Sequence, residues 1–223
     1  MTRVLLLLAA LLGPSVALAD SLPSGAILYL PILAEEITAR WPDVPSRSAM
    51  GSQVEQETCI TLRHRSCWNP HAELKTDREY GFGFGQLTIT RRFNAWAEVK
   101  TFDPSLRNWK WENRYDPRLQ LRSMIVKNRF NFARLGGTTP QDRLAFALAG
   151  YNGGLGGVVA DISLCKATPG CDPGRWFGNV EKTSRKSRVK WKGYGASAFE
   201  INREYVRNVL HVRRQKYVAA LGE

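Results

Sequence analysis

The sequence predicts a mainly α-helical protein that carries one small β or irregular glycine-rich hairpin. Apolar residues recur at helical spacing along several segments, and capping residues and glycines stand at the expected ends of those segments. A short segment at 80–87 alternates glycine with aromatic residues, as a hairpin strand does. With 223 residues, 43% of them hydrophobic, the chain is long enough for one domain with a sizeable core.

The N-terminus has the pattern of a cleavable secretory signal. One arginine precedes an apolar core at 4–12, Pro14 breaks that core, and the small-x-small sequence Ala-Leu-Ala follows at 17–19. The core is shorter than the ~20 residues of a membrane span, which disfavours an uncleaved anchor. We therefore predict a signal peptide at 1–19, and a single mature domain at 20–223 that is periplasmic or secreted and has no stable membrane span.

Four cysteines follow the predicted cleavage site, and export makes disulfides their expected state. Proximity in sequence favours Cys59 with Cys67 and Cys165 with Cys171 among the possible pairings, each pair closing a short polar loop. A zinc site is the alternative, but the chain has no CxxC spacing and no HExxH-like histidine pair. We expect neither a metal nor a cofactor.

The charge balance is strongly basic, with 32 Lys and Arg residues against 20 Asp and Glu residues and a formal net charge of +12. A polyanionic partner is therefore favoured at long range. For an exported protein the anionic cell wall is a better candidate than nucleic acid, although seven tryptophans and a basic run at 182–192 would also suit a nucleic-acid-binding module. A solvated loop is the alternative explanation of the basic run.

Each helix is predicted from its own local signals. The first, at 26–40, is either continuous or broken at Pro31 into two turns. The second begins at Ser46 or Ser48, either of which can cap it, and ends near Cys59.

Four further helices are predicted along the rest of the chain. Amphipathic spacing indicates one at 91–100. Asp-Pro at 116–117 and Thr-Pro at 139–140 start the next two, which end near Arg134 and Tyr151. The last helix, at about 197–221, has one apolar face made of Ala198, Ile201, Tyr205, Val209 and Val212.

The second helix carries two acids with different expected surroundings. At about 100° per residue, Met50, Val54 and Glu57 share one face, while Glu55 points away from it toward water. A carboxyl on an apolar face is costly to ionise, so its pKa rises. It can then hold a proton near neutral pH, as a general acid acting on a glycosidic oxygen must. The alternative is that Glu57 caps the last turn or pairs with an arginine.

Two glycine-rich stretches have both a structural and a binding explanation. At 80–87 the alternation suits a strand packed on one face, or a cleft wall in which Gln86 offers its amide to an N-acetyl or hydroxyl group. Tyr151 and Asn152 precede a run with four glycines at 153–157, which suits either a helix stop or the floor of a cleft. A tryptophan-rich loop between the two stretches suits sugar stacking or packed aromatics.

Several short motifs together carry a family resemblance. In order, they are QET at 56–58, NP at 69–70, GFGQL at 83–87, ALAGYNGG at 147–154 and EINREYV at 200–206. This series resembles the soluble lytic transglycosylase (SLT) family, whose pattern runs Glu-Ser, Asn-Pro, Gly-Leu-Met-Gln, Ala-Tyr-Asn-x-Gly and Glu-Thr-x-x-Tyr-Val.

The resemblance implies a lysozyme-like fold and cleavage of the β-1,4 bond between N-acetylmuramic acid and N-acetylglucosamine. Carried over by position, Glu57 corresponds to the single catalytic acid and base. Gln86, Tyr151 and Asn152 correspond to groups that orient the substrate and the catalytic carboxyl. The last motif supplies two further substrate-site residues, Glu200 and Tyr205, which brace the cleft from behind.

Three function classes follow. We expect a monomeric lytic transglycosylase that acts on peptidoglycan glycan strands, not on nucleic acid, and leaves 1,6-anhydromuramic ends. The second class is a hydrolytic lysozyme or chitinase-like glycosidase, which needs a second carboxylate or a positioned water; Asp77, Glu79 and Asp161 are the candidates. The third is a non-enzymatic wall-binding or nucleic-acid-binding module. The sequence shows one well-placed acid, which fits a reaction completed by the substrate's own hydroxyl or acetamido group.

Overall fold

The computed structural model describes residues 22–191 and 195–223. These residues form a mainly helical structure, with 57% helix, 7% strand and one small three-stranded antiparallel sheet. The prediction of a mainly α protein with a small hairpin is therefore confirmed. The predicted signal peptide at 1–19 lies outside the described residues.

Eight α-helices and three strands are named here in chain order. The helices are α1 Ser24–Arg40, α2 Arg47–Thr58, α3 Ala95–Phe102, α4 Pro117–Arg134, α5 Pro140–Gly153, α6 Leu155–Lys166, α7 Ala198–Arg207 and α8 Val218–Leu221. The strands are β1 Glu73–Lys75, β2 Glu79–Phe82 and β3 Leu87–Thr90. Between α7 and α8 the chain stays helical, first as a π-helix at Asn208–Arg213 and then as a 3-10 helix at Arg214–Tyr217.

Capping residues begin α4 and α5 where the sequence predicted, whereas Ser46, at the start of α2, makes no side-chain cap hydrogen bond. Asp116 accepts a hydrogen bond from the backbone N–H of Leu119, with proline at the first helical position of α4. Thr139 does the same for α5 through the N–H of Asp142. Because each start is set by residues next to each other in the chain, these boundaries were predictable without tertiary information.

Helix α5 lies at the centre of the molecule and contacts α4, α6 and α7. Its residues 144–149 are at most 1% exposed, and alanine alternates with larger apolar side chains among them. The alternation lets neighbouring helices approach closely while the larger side chains fill the core. The core is therefore built around the helix that ends in Tyr151 and Asn152.

The sheet is a meander in the order β1-β2-β3. In β2 and β3, Glu79 pairs with Thr90 and Phe82 with Leu87, so residues 83–86 form the connecting turn. The hairpin packs over a second hydrophobic cluster that includes Trp109, which is only 2% exposed. The segment at 80–87 is thus a packed hairpin, as the first explanation predicted, and it also lines the cleft described below.

Three helical features differ from the sequence prediction. The helix predicted at 91–100 begins only at Ala95, where the Asn94 side chain caps it. Helix α6 begins directly after Gly154, which has φ of 81°, although the glycine run had suggested only a turn. The predicted last helix contains the π-helical segment, in which Val212 is 57% exposed and does not share the buried face of Val209. A π-turn holds more residues than an α-turn, so it rotates the following side chains away from the α-helical phase.

Both predicted disulfides are confirmed. Cys59 is bonded to Cys67 immediately after α2, and Cys165 is bonded to Cys171 at the end of α6. Each bond closes a short loop against the end of a helix. Within the described ranges, no helix combines the length and the apolar composition needed to cross a bilayer.

Candidate active site

A cleft of about 890 Å³ runs between the end of α2, the sheet, α3, α4 and the junction of α5 and α6. Of the predicted site residues, Glu57, Gln86, Tyr151 and Asn152 line this cleft, whereas Tyr205 and Glu200 do not. The structure therefore brings together residues from three separate motifs. A concave site of this size is typical of a ligand-binding cleft.

Glu57 is partly buried in the last turn of α2, with its carboxyl group at the cleft. Burial raises the pKa of Glu57 to about 8, against the smaller opposing effects of a hydrogen bond from Tyr205 and the positive charge of Lys127. The direction of this shift agrees with the sequence prediction. Glu57 therefore holds a proton at neutral pH and can donate it to a substrate.

A buried chain of hydrogen bonds positions the Glu57 carboxyl. Asn128 Nδ2 donates to Gln53 Oε1 at 2.6 Å, and Gln53 Nε2 donates to Tyr205 Oη at 2.9 Å. Tyr205 Oη then donates to Glu57 Oε1 at 2.5 Å. Gln53 and Asn128 are both 0% exposed, so water does not compete for these bonds. Sequence analysis missed both residues, although Gln53 lies one helical turn before Glu57.

Tyr151 connects the floor of the cleft to the glycine-rich turn at 83–86 through a hydrogen bond. Its hydroxyl group donates to the carbonyl oxygen of Gly85 at 2.7 Å. A Cβ atom at position 85 would lie 2.3 Å from the Tyr151 hydroxyl oxygen, so only glycine allows this approach. Burial and the negative charge of Glu57 raise the pKa of Tyr151 well above its usual value, which keeps the side chain a neutral hydrogen-bond donor.

Gln86 and Asn152 line the cleft, and one atom of each side-chain amide is already hydrogen-bonded to other protein groups. Gln86 has a positive φ of 43°, and its Nε2 donates to the carbonyl oxygens of Ala72 and Gly83 at 3.1 and 2.9 Å. Asn152 Oδ1 accepts a hydrogen bond from Asn202 Nδ2 at 3.0 Å. The Gln86 amide nitrogen, which sequence analysis had directed at the substrate, instead holds the wall of the cleft in shape.

Glu200 begins the helix that carries Tyr205. Its carboxylate accepts a hydrogen bond from the backbone N–H of Ser197 at 2.7 Å, and the Ser197 hydroxyl accepts one from the N–H of Glu200 at 3.2 Å. This reciprocal arrangement is a capping box, which stabilises the start of α7. Glu200 thus stabilises the start of the helix that carries Tyr205 and does not line the cleft.

The sequence prediction for Glu55 was wrong. Glu55 does not meet water; it is 0% exposed. It pairs with Arg213 at 2.9 Å and Lys216 at 3.0 Å, and it accepts a hydrogen bond from Tyr217 Oη at 2.6 Å. The C-terminal π- and 3-10-helical segments pack over this face of α2, and a helical wheel contains no information about them.

The candidates for a second carboxylate differ in position. Asp161 is buried and pairs with Lys186 and Arg203, and neither Asp161 nor the exposed Asp77 lines the cleft. Glu79 does line it.

Two cleft carboxylates were missed by sequence analysis. Glu73 lines the cleft from β1, and hydrogen bonds from Tyr115 and Tyr80 hold its pKa below the usual range. Glu98 lines the cleft from α3 and lies 3.8 Å from the ammonium group of Lys127. Neither residue belongs to a motif, and only folding brings them near Glu57.

The basic run at 182–192 is partly structural. Lys186 donates to Asp161 at 2.8 Å, and Ser184 also hydrogen-bonds to that carboxylate. These contacts hold the loop against α6, so the solvated-loop explanation is wrong for Lys186. Lys192 lies outside the described residues.

Comparison with models of known protein families finds no match for this chain, and comparison with curated protein sequences likewise finds none. The geometry of the cleft and the order of the motifs are therefore the basis for a functional assignment.

Proposed function

We propose that this protein is a peptidoglycan lytic transglycosylase with a lysozyme-like fold, as its resemblance to the SLT family implies. The observation that carries the proposal is the Glu57 carboxyl group, which lines a large cleft, accepts a hydrogen bond from Tyr205 and has a pKa raised by burial to about 8. The substrate is the β-1,4 bond between N-acetylmuramic acid and N-acetylglucosamine, and the product carries a 1,6-anhydromuramic end.

Glu57 acts as acid and then as base. It donates its proton to the glycosidic oxygen as the bond from that oxygen to C1 breaks. The resulting carboxylate then accepts the proton of the C6 hydroxyl group of the muramic acid, whose oxygen bonds to C1. Tyr205 and the nearby positive charge of Lys127 stabilise the carboxylate between the two steps. No water is consumed, because the internal hydroxyl group reacts at an effective concentration of ~10⁵ M or more and so outcompetes water.

The arrangement of the motifs supports the same assignment. Tyr151 bonds to the glycine-rich turn that bears Gln86, and Tyr205 reaches the acid from the last motif. Residues far apart in the sequence thus surround one carboxyl group. The two disulfides fit an oxidising, extracytoplasmic environment, as a wall-degrading enzyme requires.

One observation favours a second candidate, a hydrolase on the same scaffold. Glu73 also lines the cleft, and its hydrogen bonds from Tyr115 and Tyr80 keep it ionised at neutral pH. An ionised carboxylate in the same cleft as a protonated one provides the two carboxyl groups that glycoside hydrolases use to activate water or to attack C1. This enzyme would leave reducing ends.

Product analysis separates these candidates. Purified peptidoglycan is digested, and the muropeptides are examined by mass spectrometry before and after borohydride treatment. The transglycosylase product is lighter than a reducing muropeptide by one water, about 18 Da, and borohydride does not reduce it. Reducible ends that disappear in Glu73→Gln would establish the hydrolase instead. Binding to the wall without any soluble product would indicate a non-enzymatic module.

A further inference from the structure

Lys127 is a buried lysine that lines the cleft, and burial lowers the pKa of its ammonium group while the carboxylates of Glu98 and Glu57 oppose that effect. It lies on α4, it is 8% exposed, and it is among the residues that line the cleft. Its Nζ lies 4.9 Å from the ring centroid of Tyr151 and 5.3 Å from that of Phe93. The ammonium group therefore lies within cation–π distance of two aromatic rings and lines the same cleft as Glu57.

The ammonium group has no close acceptor among the described residues. Its nearest carboxylate oxygen, Glu98 Oε2, is 3.8 Å away, which is longer than a hydrogen bond of about 2.7–3.2 Å. A lysine ammonium group carries three N–H donors. Burying such a group is costly unless its donors are satisfied, and a bound ligand with an acceptor would satisfy them.

The chemistry of the substrate identifies that acceptor. N-acetylglucosamine is neutral, whereas N-acetylmuramic acid carries a lactyl group that ends in a carboxylate when no peptide is attached. A peptide-bearing lactyl group offers only an amide carbonyl at that position. A charge-assisted hydrogen bond from an ammonium group is stronger to a carboxylate than to a neutral oxygen.

We propose that Lys127 is the specificity-determining residue that binds the free lactyl carboxylate of a muramic acid residue beside the scissile bond. The enzyme then prefers glycan strands without peptides over peptide-bearing strands, and either of these over chitin oligosaccharides. This inference rests on the proposed function, because it names the sugar that occupies the same cleft.

Glu98 offers a control substitution that should change the affinity for an acidic sugar in the opposite direction. Its side chain is 37% exposed, so it lies at the rim of the cleft beside the Lys127 ammonium group. A carboxylate at this place repels an incoming substrate carboxylate and competes for the same cation. Removing the charge of Glu98 should therefore strengthen the binding of an acidic sugar, while removing the charge of Lys127 should weaken it.

The test is calorimetric titration at low salt in a Glu57→Gln background, which binds without cleaving. Three tetrasaccharides are compared: two β-1,4-linked units of peptide-free N-acetylglucosaminyl-N-acetylmuramic acid, the same tetrasaccharide with both lactyl groups methyl-esterified, and chitotetraose. We expect the free acid to bind about tenfold more tightly than its ester, as one charge-assisted hydrogen bond contributes. Lys127→Met should abolish this ratio, Lys127→Arg should keep part of it, and Glu98→Gln should increase it.

Several outcomes would overturn the inference. Equal affinities for the acid and its ester in the parent protein would do so. An unchanged acid-to-ester ratio in Lys127→Met would also do so, including when all affinities fall together, because that pattern indicates a structural role. Circular dichroism of each variant checks folding, and Lys127→Arg covers the case in which Lys127→Met is unfolded. The assay is independent of turnover, so failure of the transglycosylase assignment appears separately in the product masses.

Discussion

Glu55 and Glu57 lie two residues apart on α2, yet they have different partners. Glu55 is enclosed by Arg213, Lys216 and Tyr217, which all lie in the C-terminal helical segment. Glu57 accepts one hydrogen bond from a neutral phenol and faces the cleft. The comparison shows that burial alone does not decide what a carboxyl group does. The number and charge of its donors decide whether it holds the fold together or keeps a proton for transfer.

The largest expected effect is the loss of activity when Glu57, but not Glu55, is replaced. Glu57→Gln should lower the rate of wall digestion by about 10²–10⁴-fold, because the amide cannot donate or accept the transferred proton. Its fold should remain intact, because glutamine has nearly the same shape. Loss of turbidity of purified peptidoglycan measures the rate, and circular dichroism verifies folding. Full activity in Glu57→Gln would remove this residue from the mechanism.

Glu55→Gln should produce the reverse pattern. It leaves two partly or fully buried cations without their counter-charge, which should lower the free energy of unfolding by about 3 kcal/mol. Activity per folded molecule should change little at temperatures where the variant is folded. Urea unfolding followed by tryptophan fluorescence gives the stability. A variant as stable as the parent protein would show that the Glu55 cluster contributes little to the fold.

Tyr205→Phe tests the donor that distinguishes the Glu57 environment. The Tyr205 hydrogen bond lowers the pKa of Glu57, so its removal should raise that pKa further. The alkaline fall of kcat/KM, expected near pH 8 in the parent protein, should move to higher pH, and kcat should drop by about tenfold because the carboxyl group loses its orientation. Glu200→Gln is the matched control, because it weakens the cap of the same helix without touching the carboxyl group. An identical pH profile in Tyr205→Phe would contradict this role.

The smallest expected effect is on stability as a function of pH. Because the pKa of Glu57 is raised from 4.5 to about 8 by folding, the native state binds more protons than the unfolded state between these values. The Glu57 contribution to stability is therefore fully present below pH 4.5 and is lost as the pH rises through about 8. Glu57→Gln does not titrate, so its Tm relative to the parent protein should rise by a few degrees as the pH is raised over this interval. A constant Tm difference would show that the pKa is not raised.

The sequence by itself determined the features that depend on neighbouring residues. Caps at Asp116 and Thr139 set the starts of α4 and α5, and short spacing between cysteines set both disulfides. The position of Glu57 beside Met50 and Val54 predicted the direction of its pKa shift, although the opposite side of α2 is buried as well. These features were predictable because capping and the closure of a short loop are local, and because helix phase follows from consecutive residues.

Only the tertiary structure decided what covers the other faces of those helices. The C-terminal segment encloses Glu55. Gln53 and Asn128 form a hydrogen bond inside the core, and Lys127 lines the cleft from α4. One of the glycines that had suggested a helix stop or a cleft floor also allows a close contact between helices: a Cβ atom at Gly153 would lie 2.7 Å from Asn202 Nδ2. A helical pattern reports which side of a helix is apolar, but a polar side can face either water or a charged partner. That choice depends on segments distant in sequence, because contacts between them form only when the whole chain packs.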